Sequence, residues 1–477
     1  MPFAVWLSFL LLVAFACSSL AKSIYELDDG ALYLTPIIRS GRLEAARALA
    51  KVESNDWTIK SYSGYLTVDD VHDSNIFFWF IPAIERPTDD APVLLWLQGG
   101  PGSTSLYGAF EEHGPFSITR DKTVKMRADT WAFTHSMLYV DNPVGAGFSF
   151  TGDDAGYSFN QMAVSRNMYE ALVQFFTLFP EYQKNDFYVT GESYAGKYAP
   201  AVSYAIHSNN PSASVKINLK GLAIGNGLVD PVNQMVYSEF LYQHGFVDES
   251  GKKQFENKEC LVRDRINAKD FIGALLVFCD MVLNDRDSLF LNLTGLSSQY
   301  NMQWEGKKML NAEWMEYVNA TATRRALHVG VRPLNSPVKV FNHLADDIMR
   351  STKQWLSALV DDGKYRVLLY SGQLDMLVPY RGTMNMARSL RWTGAEHFRN
   401  ATRTVWWVPV QNSVRSAYNT VQSVTSVAAG YATSYGPLTV LMVRNAGHMV
   451  PLDQPSRALK MINHFTSNQS FSDPITV

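Results

Sequence analysis

Phe187-Tyr188-Val189-Thr190-Gly191-Glu192-Ser193-Tyr194-Ala195-Gly196 sets a serine at the join between a β run and a segment of small residues. Phe187, Tyr188, Val189 and Thr190 are strong strand formers, and Ala195 and Gly196 let a following helix pack closely on the sheet. The hydroxyl of Ser193 then projects from a sharp strand-to-helix turn, the sequence form of a nucleophile elbow. Taken alone, such a Gly-x-Ser turn is more often an ordinary connection than a catalytic one. A serine hydroxyl is a weak nucleophile, so the reading needs a base and an acid that orients the base.

Both follow, each on a loop after an apolar β run. Val367-Leu368-Leu369-Tyr370 leads into Ser371-Gly372-Gln373-Leu374-Asp375, and Thr439-Val440-Leu441-Met442-Val443 leads to His448 in Asn445-Ala446-Gly447-His448-Met449-Val450-Pro451. Side chains placed just past such strands gather at the carboxyl edge of a parallel sheet. The chain order Ser193, Asp375, His448 is that of α/β-hydrolases. Acyl transfer also needs two preorganised donors for the oxyanion. The backbone N–H of Tyr194, next after the nucleophile, and that of Gly100 in Gly99-Gly100-Pro101-Gly102, directly after the strand 94–97, are the candidates; the alternative for the glycine loop is a plain turn.

The pattern around these motifs predicts an α/β-hydrolase fold, a mixed, mostly parallel sheet flanked by helices. Strands are expected at 76–81, 93–97, 137–140, 187–190 and 221–224, with a helix over 161–178, so the first part of the core spans 56–229. Residues 230–345 break the rhythm with charged helical stretches, including 252–264 and 268–283, and read as a helical lid inserted before the second part of the core, 346–477. Residues 22–55 form an arm, helical over 42–52, to be kept as an ordered arm or removed as a propeptide. The Ser/Thr/Val/Ala-rich stretch 413–434 reads as a surface connection.

The 477 residues, 47% of them hydrophobic and 13% aromatic, suffice for a large core. A net charge of −3 offers no basic surface for nucleic acid, and no charge run points to a membrane. Residues 5–16 are an apolar run too short to span a bilayer, and Ser19-Leu20-Ala21 precedes a polar start at Lys22, so 1–21 reads as a signal peptide; no Lys or Arg precedes the apolar run, and a buried N-terminal helix is the alternative. Sequons at Asn292, Asn319, Asn400 and Asn468 accord with glycosylation in the secretory pathway. With Cys17 lost with the signal, Cys260 and Cys279 remain, as a disulfide or as two buried thiols. The ten histidines show no His-Glu-x-x-His spacing; no metal or cofactor is expected. Oligomeric state is not legible, and a homodimer stays open.

Four segments together resemble the serine carboxypeptidases: Leu95-Trp96-Leu97-Gln98-Gly99-Gly100-Pro101-Gly102, Asp141-Asn142-Pro143-Val144-Gly145-Ala146-Gly147-Phe148-Ser149, the serine turn 191–196, and the histidine loop 445–451. The resemblance runs over residues 61–465, and Phe77-Phe78-Trp79-Phe80 with Gln98 is most similar to the vitellogenic-like members. It implies a secreted or lysosomal enzyme that releases C-terminal amino acids from peptides. It also implies that Gln98, Glu112 and Glu192 bind the free carboxylate of the substrate, Gln98 standing where many members carry asparagine. An ionised acid pair would repel that carboxylate, so at least one acid must be protonated, and peptidase activity should be favoured at acidic pH. The alternative for Glu112 and Glu192 is an exposed surface pair. For the chain as a whole the alternatives are an acyltransferase or esterase on the same scaffold, and a binding or protective protein that does not rely on catalysis.

Overall fold

A computed structural model of the protein describes residues 30–304, 312–415 and 420–472, with side chains at 411–424 left out. The signal-peptide reading of 1–21, with Cys17, and the start of the arm to residue 29 lie outside the described residues.

Ten strands form one sheet in the order β1-β2-β6-β3-β7-β8-β9-β12-β11-β10. They are β1 (Tyr62–Asp69), β2 (Ser74–Ile81), β3 (Val93–Leu97), β6 (Ser136–Val140), β7 (Phe187–Glu192), β8 (Leu219–Gly225), β9 (Arg366–Gly372), β10 (Thr404–Arg415), β11 (Thr420–Tyr435) and β12 (Leu438–Val443); β4 (Phe116–Ile118) and β5 (Val124–Met126) pair separately. The middle strands β6, β3, β7, β8, β9 and β12 run parallel, and the outer pairings at both ends are antiparallel. This is the mixed, mostly parallel sheet of the α/β-hydrolase fold.

The parallel strands are buried on both faces, as continuous apolar runs require. In β3 the side chains of Val93, Leu95 and Leu97 enter one core while Leu94 and Trp96 enter the other. The first core is closed by the helices Gln161–Leu178, Ala195–Asn209 and Lys353–Asp362, and the second by Pro455–Thr466, which supplies Met461, Ile462 and Phe465. The register sets Leu97 beside Gly191, Gly191 beside Ile224 and Ile224 beside Leu369. The carboxyl ends of β3, β7, β8 and β9 therefore lie along one sheet edge.

From residue 30 onward the arm packs into the core. Its helix Leu43–Ala50 buries Ala46 and Ala50, while Leu34 N–H donates to Tyr65 O (2.9 Å) and Tyr65 N–H to Leu32 O (2.9 Å). Between β8 and β9 the described chain is helical, with Glu249–Asn267, Phe271–Phe278 and Val338–Ile348 among its helices.

Two expectations need correction. The described parts of 413–434 are strand rather than a surface connection: β10 and β11 pair from Thr404↔Ala432 to Arg415↔Thr420 as a long antiparallel ribbon, favoured by the β-branched Thr and Val residues it carries. Cys260 and Cys279 are free thiols, not a disulfide; nor are they two buried thiols, since Cys260 is exposed on its helix, where its sulfur accepts from Arg263 Nη2 (3.2 Å), and Cys279 is half-buried in the turn after Phe271–Phe278.

Candidate active site

Ser193 follows β7 and precedes the helix Ala195–Asn209, as an elbow requires. Its φ of +61° is a left-handed value that a residue with a Cβ seldom adopts. The turn is over-determined by hydrogen bonds: Ser193 N–H donates to Gly225 O (2.9 Å), and Ser193 O accepts from Gly196 N–H (2.9 Å) and Leu228 N–H (3.0 Å). Gly196 is obligatory, because a Cβ there would stand 2.6 Å from Leu228 N.

Asp375 lies past β9 and His448 past β12, and both are buried. His448 Nδ1 is 2.9 Å from Asp375 Oδ2. An ionised carboxylate can only accept, so the proton of the neutral ring sits on Nδ1 and Nε2 keeps its lone pair. Nε2 is buried with no hydrogen-bond partner among the described residues. The acid is held on both oxygens. Oδ1 accepts from Leu377 N–H (2.7 Å) and Val378 N–H (3.2 Å), and Oδ2 also accepts from Asn226 Nδ2 (2.5 Å). Asn226, just past β8, was not anticipated; its position in Gly225-Asn226-Gly227 after an apolar strand was the signal available.

Ser193 and His448 line one cavity of about 400 Å³, together with Gln98, Gly99, Gly100, Glu192 and Tyr194. Its opposite wall comes from the helical insertion, including Phe278, Leu283, Trp314 and Phe341. Among the described residues no hydrogen bond takes up the N–H of Gly100 or of Tyr194. Gly99 makes that approach possible, since a Cβ on it would meet Tyr194 N at 2.6 Å and Ser193 Cβ at 2.7 Å. The glycine loop is braced from below by Asp141, which accepts from Thr104 Oγ1 (2.6 Å), Ser105 N–H (2.8 Å) and Phe148 N–H (2.7 Å); burial raises its carboxyl to about 6.

Gln98, Glu112 and Glu192 form a buried cluster rather than an exposed pair. Trp96 Nε1, also unanticipated, donates to Gln98 Oε1 (2.8 Å) and so fixes which way the amide faces. Gln98 Nε2 then donates to Glu192 Oε1 (2.8 Å) and Glu112 Oε1 (3.3 Å), and the two carboxyls also hydrogen-bond to each other. Both carboxyls sit above the usual carboxylate range, first because burial penalises the charge and, for Glu192, because Glu112 adds repulsion. The pair therefore holds protons at pH values where exposed carboxylates have lost theirs.

The sequence profile described as Serine carboxypeptidase matches residues 52–468. The chain belongs to the serine carboxypeptidase family. Similar relatives include the venom serine carboxypeptidase of Apis mellifera, 46% identical over 94% of this chain and 93% of that one. The probable serine carboxypeptidase CPVL of Homo sapiens is 40% identical, covering 97% of each chain, and the vitellogenic carboxypeptidase of Aedes aegypti 40% identical over 91% and 89%. Among solved structures, that of Kex1Δp, a prohormone-processing carboxypeptidase from Saccharomyces cerevisiae, aligns with a TM-score of 0.73 at 22% identity, covering 88% of this chain and 96% of that one, which shows the fold. This serine carboxypeptidase is thus a peptide hydrolase, and among its described residues no helix is long and apolar enough to cross a membrane.

The four sequons of this carboxypeptidase differ in access. Asn292, Asn400 and Asn468 are exposed, whereas Asn319 is half-buried, its Nδ2 donating to Met315 O (2.9 Å) and its Oδ1 accepting from Leu334 N–H (3.0 Å).

Proposed function

We propose that Ser193 is the nucleophile, His448 the general base and then acid, Asp375 the group that orients His448, and Gly100 and Tyr194 the oxyanion donors, in an enzyme that removes the last residue of peptides with a free C-terminal carboxylate. Ser193 Oγ bonds to the scissile carbonyl carbon as its proton passes to His448 Nε2. Asp375 stabilises the imidazolium, and the two backbone N–H groups take the charge on the carbonyl oxygen. Collapse breaks the C–N bond, His448 returns the proton to the leaving amine, and the C-terminal amino acid departs. Water, deprotonated by His448, then cleaves the acyl-enzyme.

The observation that carries this reading is the Gln98 amide, set between two buried, proton-holding carboxyls, with Gln98 and Glu192 on the wall of the cavity that also holds Ser193 and His448. Such a cluster offers donors to a carboxylate without presenting a charge against it, and it does so only while protonated, so peptidase activity is favoured at acidic pH. Exposed Asn292, Asn400 and Asn468 support glycosylation and passage through the secretory pathway to a lysosomal or extracellular site.

The test is release of the C-terminal amino acid from an N-blocked dipeptide, beside the matching C-terminal amide, by wild type and Ser193→Ala. Preference for the free acid, with turnover in Ser193→Ala lower by on the order of a millionfold, is expected. Undiminished hydrolysis by a purified, folded Ser193→Ala would overturn the assignment.

A further inference from the structure

The elbow helix carries a second cluster of buried polar groups, which the mechanism above does not use. Tyr194, the residue proposed to supply an oxyanion donor, points its hydroxyl away from the sheet edge and donates to Asp347 Oδ2 (2.8 Å). Gln161 Nε2, at the start of the helix Gln161–Leu178, donates to the same oxygen (2.7 Å). Lys197, one turn along from Tyr194, lies 3.2 Å from that oxygen through Nζ, with the lysine side chain 0% and the aspartate side chain 5% exposed. The ammonium also donates to Ile348 O (3.3 Å), Arg350 O (2.7 Å) and the carbonyl of Asp347.

These carbonyls belong to the end of the helix Val338–Ile348 in the insertion and to the turn after it. The last turn of a helix leaves carbonyls without intrahelical partners, and a cation there satisfies them and complements the helix dipole. Lys197 is therefore a buried cap on an insertion helix, supplied by the helix that carries the elbow. Ile348, whose carbonyl it binds, lines the catalytic cavity. Burial lowers the lysine to about 8, against the pull of Asp347, so the ammonium stays charged in acidic and neutral solution.

A buried ion pair of this kind is costly to assemble and is weak evidence for stability as such. Its yield is geometric. The Tyr194 side chain is tied at its far end to two other helices, and its backbone N–H is the group that must meet a developing oxyanion to within tenths of an ångström.

We infer that Lys197 and Asp347 are positioning residues for the reaction, fixing Tyr194 so that its N–H is preset for the transition state and locking the Val338–Ile348 helix to the elbow as a wall of the cavity. The inference rests on the proposed oxyanion role of Tyr194.

Two variants test it. Tyr194→Phe removes only the hydroxyl and leaves the ion pair in place; Lys197→Met combined with Asp347→Leu removes both charges together, so that neither is left buried alone. For each, kcat and KM are measured on an N-blocked dipeptide, with the inhibition constants of a peptide boronic acid, which forms a tetrahedral adduct on the serine, and of a non-reactive peptide of the same sequence. A fall in kcat of about tenfold or more, short of or reaching the hundredfold that loss of a whole oxyanion donor typically costs, is expected with little change in KM. The boronic acid should weaken by a matching factor while the non-reactive peptide does not, because the loss is confined to the tetrahedral state. Loss of packing alone would lower thermal stability without separating the two inhibitors. Wild-type kcat and wild-type boronate affinity in folded Tyr194→Phe and in the folded pair variant would overturn the inference and leave the carboxypeptidase reading standing. If the pair variant does not fold, Tyr194→Phe decides alone. Absence of serine-dependent turnover in the wild type would sink both readings together.

Discussion

Replacing Glu192 by Gln exchanges a titrating group beside Gln98 for one that donates at every pH. In the wild-type cluster the carboxyls can present O–H donors only while the pair is protonated. The pKa of each carboxyl is raised, so the sign is fixed: the folded state favours the protonated forms, any stability they contribute is complete below the ordinary carboxylate pKa, and it declines as pH rises toward the raised values. Binding of the peptide carboxylate follows the same course and weakens as the pair ionises. A hydrogen bond to a charged group contributes about 1.5–3 kcal/mol, so its loss on the alkaline side should cost about ten- to a hundredfold in kcat/KM for the free acid. Glu192→Gln, which removes the carboxyl coupled to Glu112, should flatten that decline. The assay is kcat/KM for an N-blocked dipeptide and for its C-terminal amide across about pH 4 to 8, the amide controlling for any pH dependence that does not involve the substrate carboxylate. Only the free-acid substrate should show the wild-type decline, and only the wild type should show it in full. A variant profile superimposable on the wild type, or an equal decline for the amide, would refute the reasoning.

Two further outcomes follow from the geometry. Asn226→Ala removes the amide that bonds Asp375 Oδ2 at 2.5 Å and leaves part of a buried carboxylate unsatisfied; a stability loss of about 1–3 kcal/mol in denaturant unfolding is expected, with kcat falling more than KM rises. Gly99→Ala places a methyl 2.6 Å from Tyr194 N, so turnover should fall about a hundredfold or more while labelling of Ser193 by a fluorophosphonate persists at a reduced rate.

The sheet edge was legible because each catalytic side chain follows an apolar run that is buried on both faces, and such runs survive in sequence as uninterrupted Val, Leu, Ile and Tyr. Asp375 and His448 were proposed on that ground together with the resemblance of the surrounding motifs to the serine carboxypeptidases. The ribbon β10–β11 was not, because Val421, Val424 and Val427 recur every third residue and mask the period of two by which a strand is recognised. β1 was passed over with Gly64 inside it. Trp96 and Asn226 act through hydrogen bonds whose partners only the folded register brings near, and Lys197 and Asp347, 150 residues apart, carry no local pattern at all. Sequence reasoning found groups that do chemistry at the ends of strands and missed groups that hold them, because holding is a tertiary property.

The insertion illustrates the same point at the level of the whole site. Residues 299–302 pair with both loops that carry the His-Asp couple: Met376 N–H donates to Gln299 O (2.9 Å), His448 N–H to Tyr300 O (2.6 Å), and Met302 N–H to Leu374 O (3.2 Å). Asn301 Nδ2 reaches Asp453 Oδ2 (2.9 Å), which also accepts from Gly447 N–H (2.7 Å), the residue before His448. Asp375 and His448 are 73 residues apart in the chain, and this segment ties their loops to a common partner. With a typical net contribution of about 0.5–1.5 kcal/mol per hydrogen bond, opening the whole seam would cost a few kcal/mol, enough to leave an opened seam at about one part in a hundred or fewer. Substrate entry by displacement of this segment would break the very contacts that register the couple. Phe278, Leu283 and Trp314 line the cavity from other parts of the insertion. The insertion therefore ties the two loops together through residues 299–302 and walls the cavity, and Tyr300, which accepts from His448 N–H and lines the cavity, takes part in both.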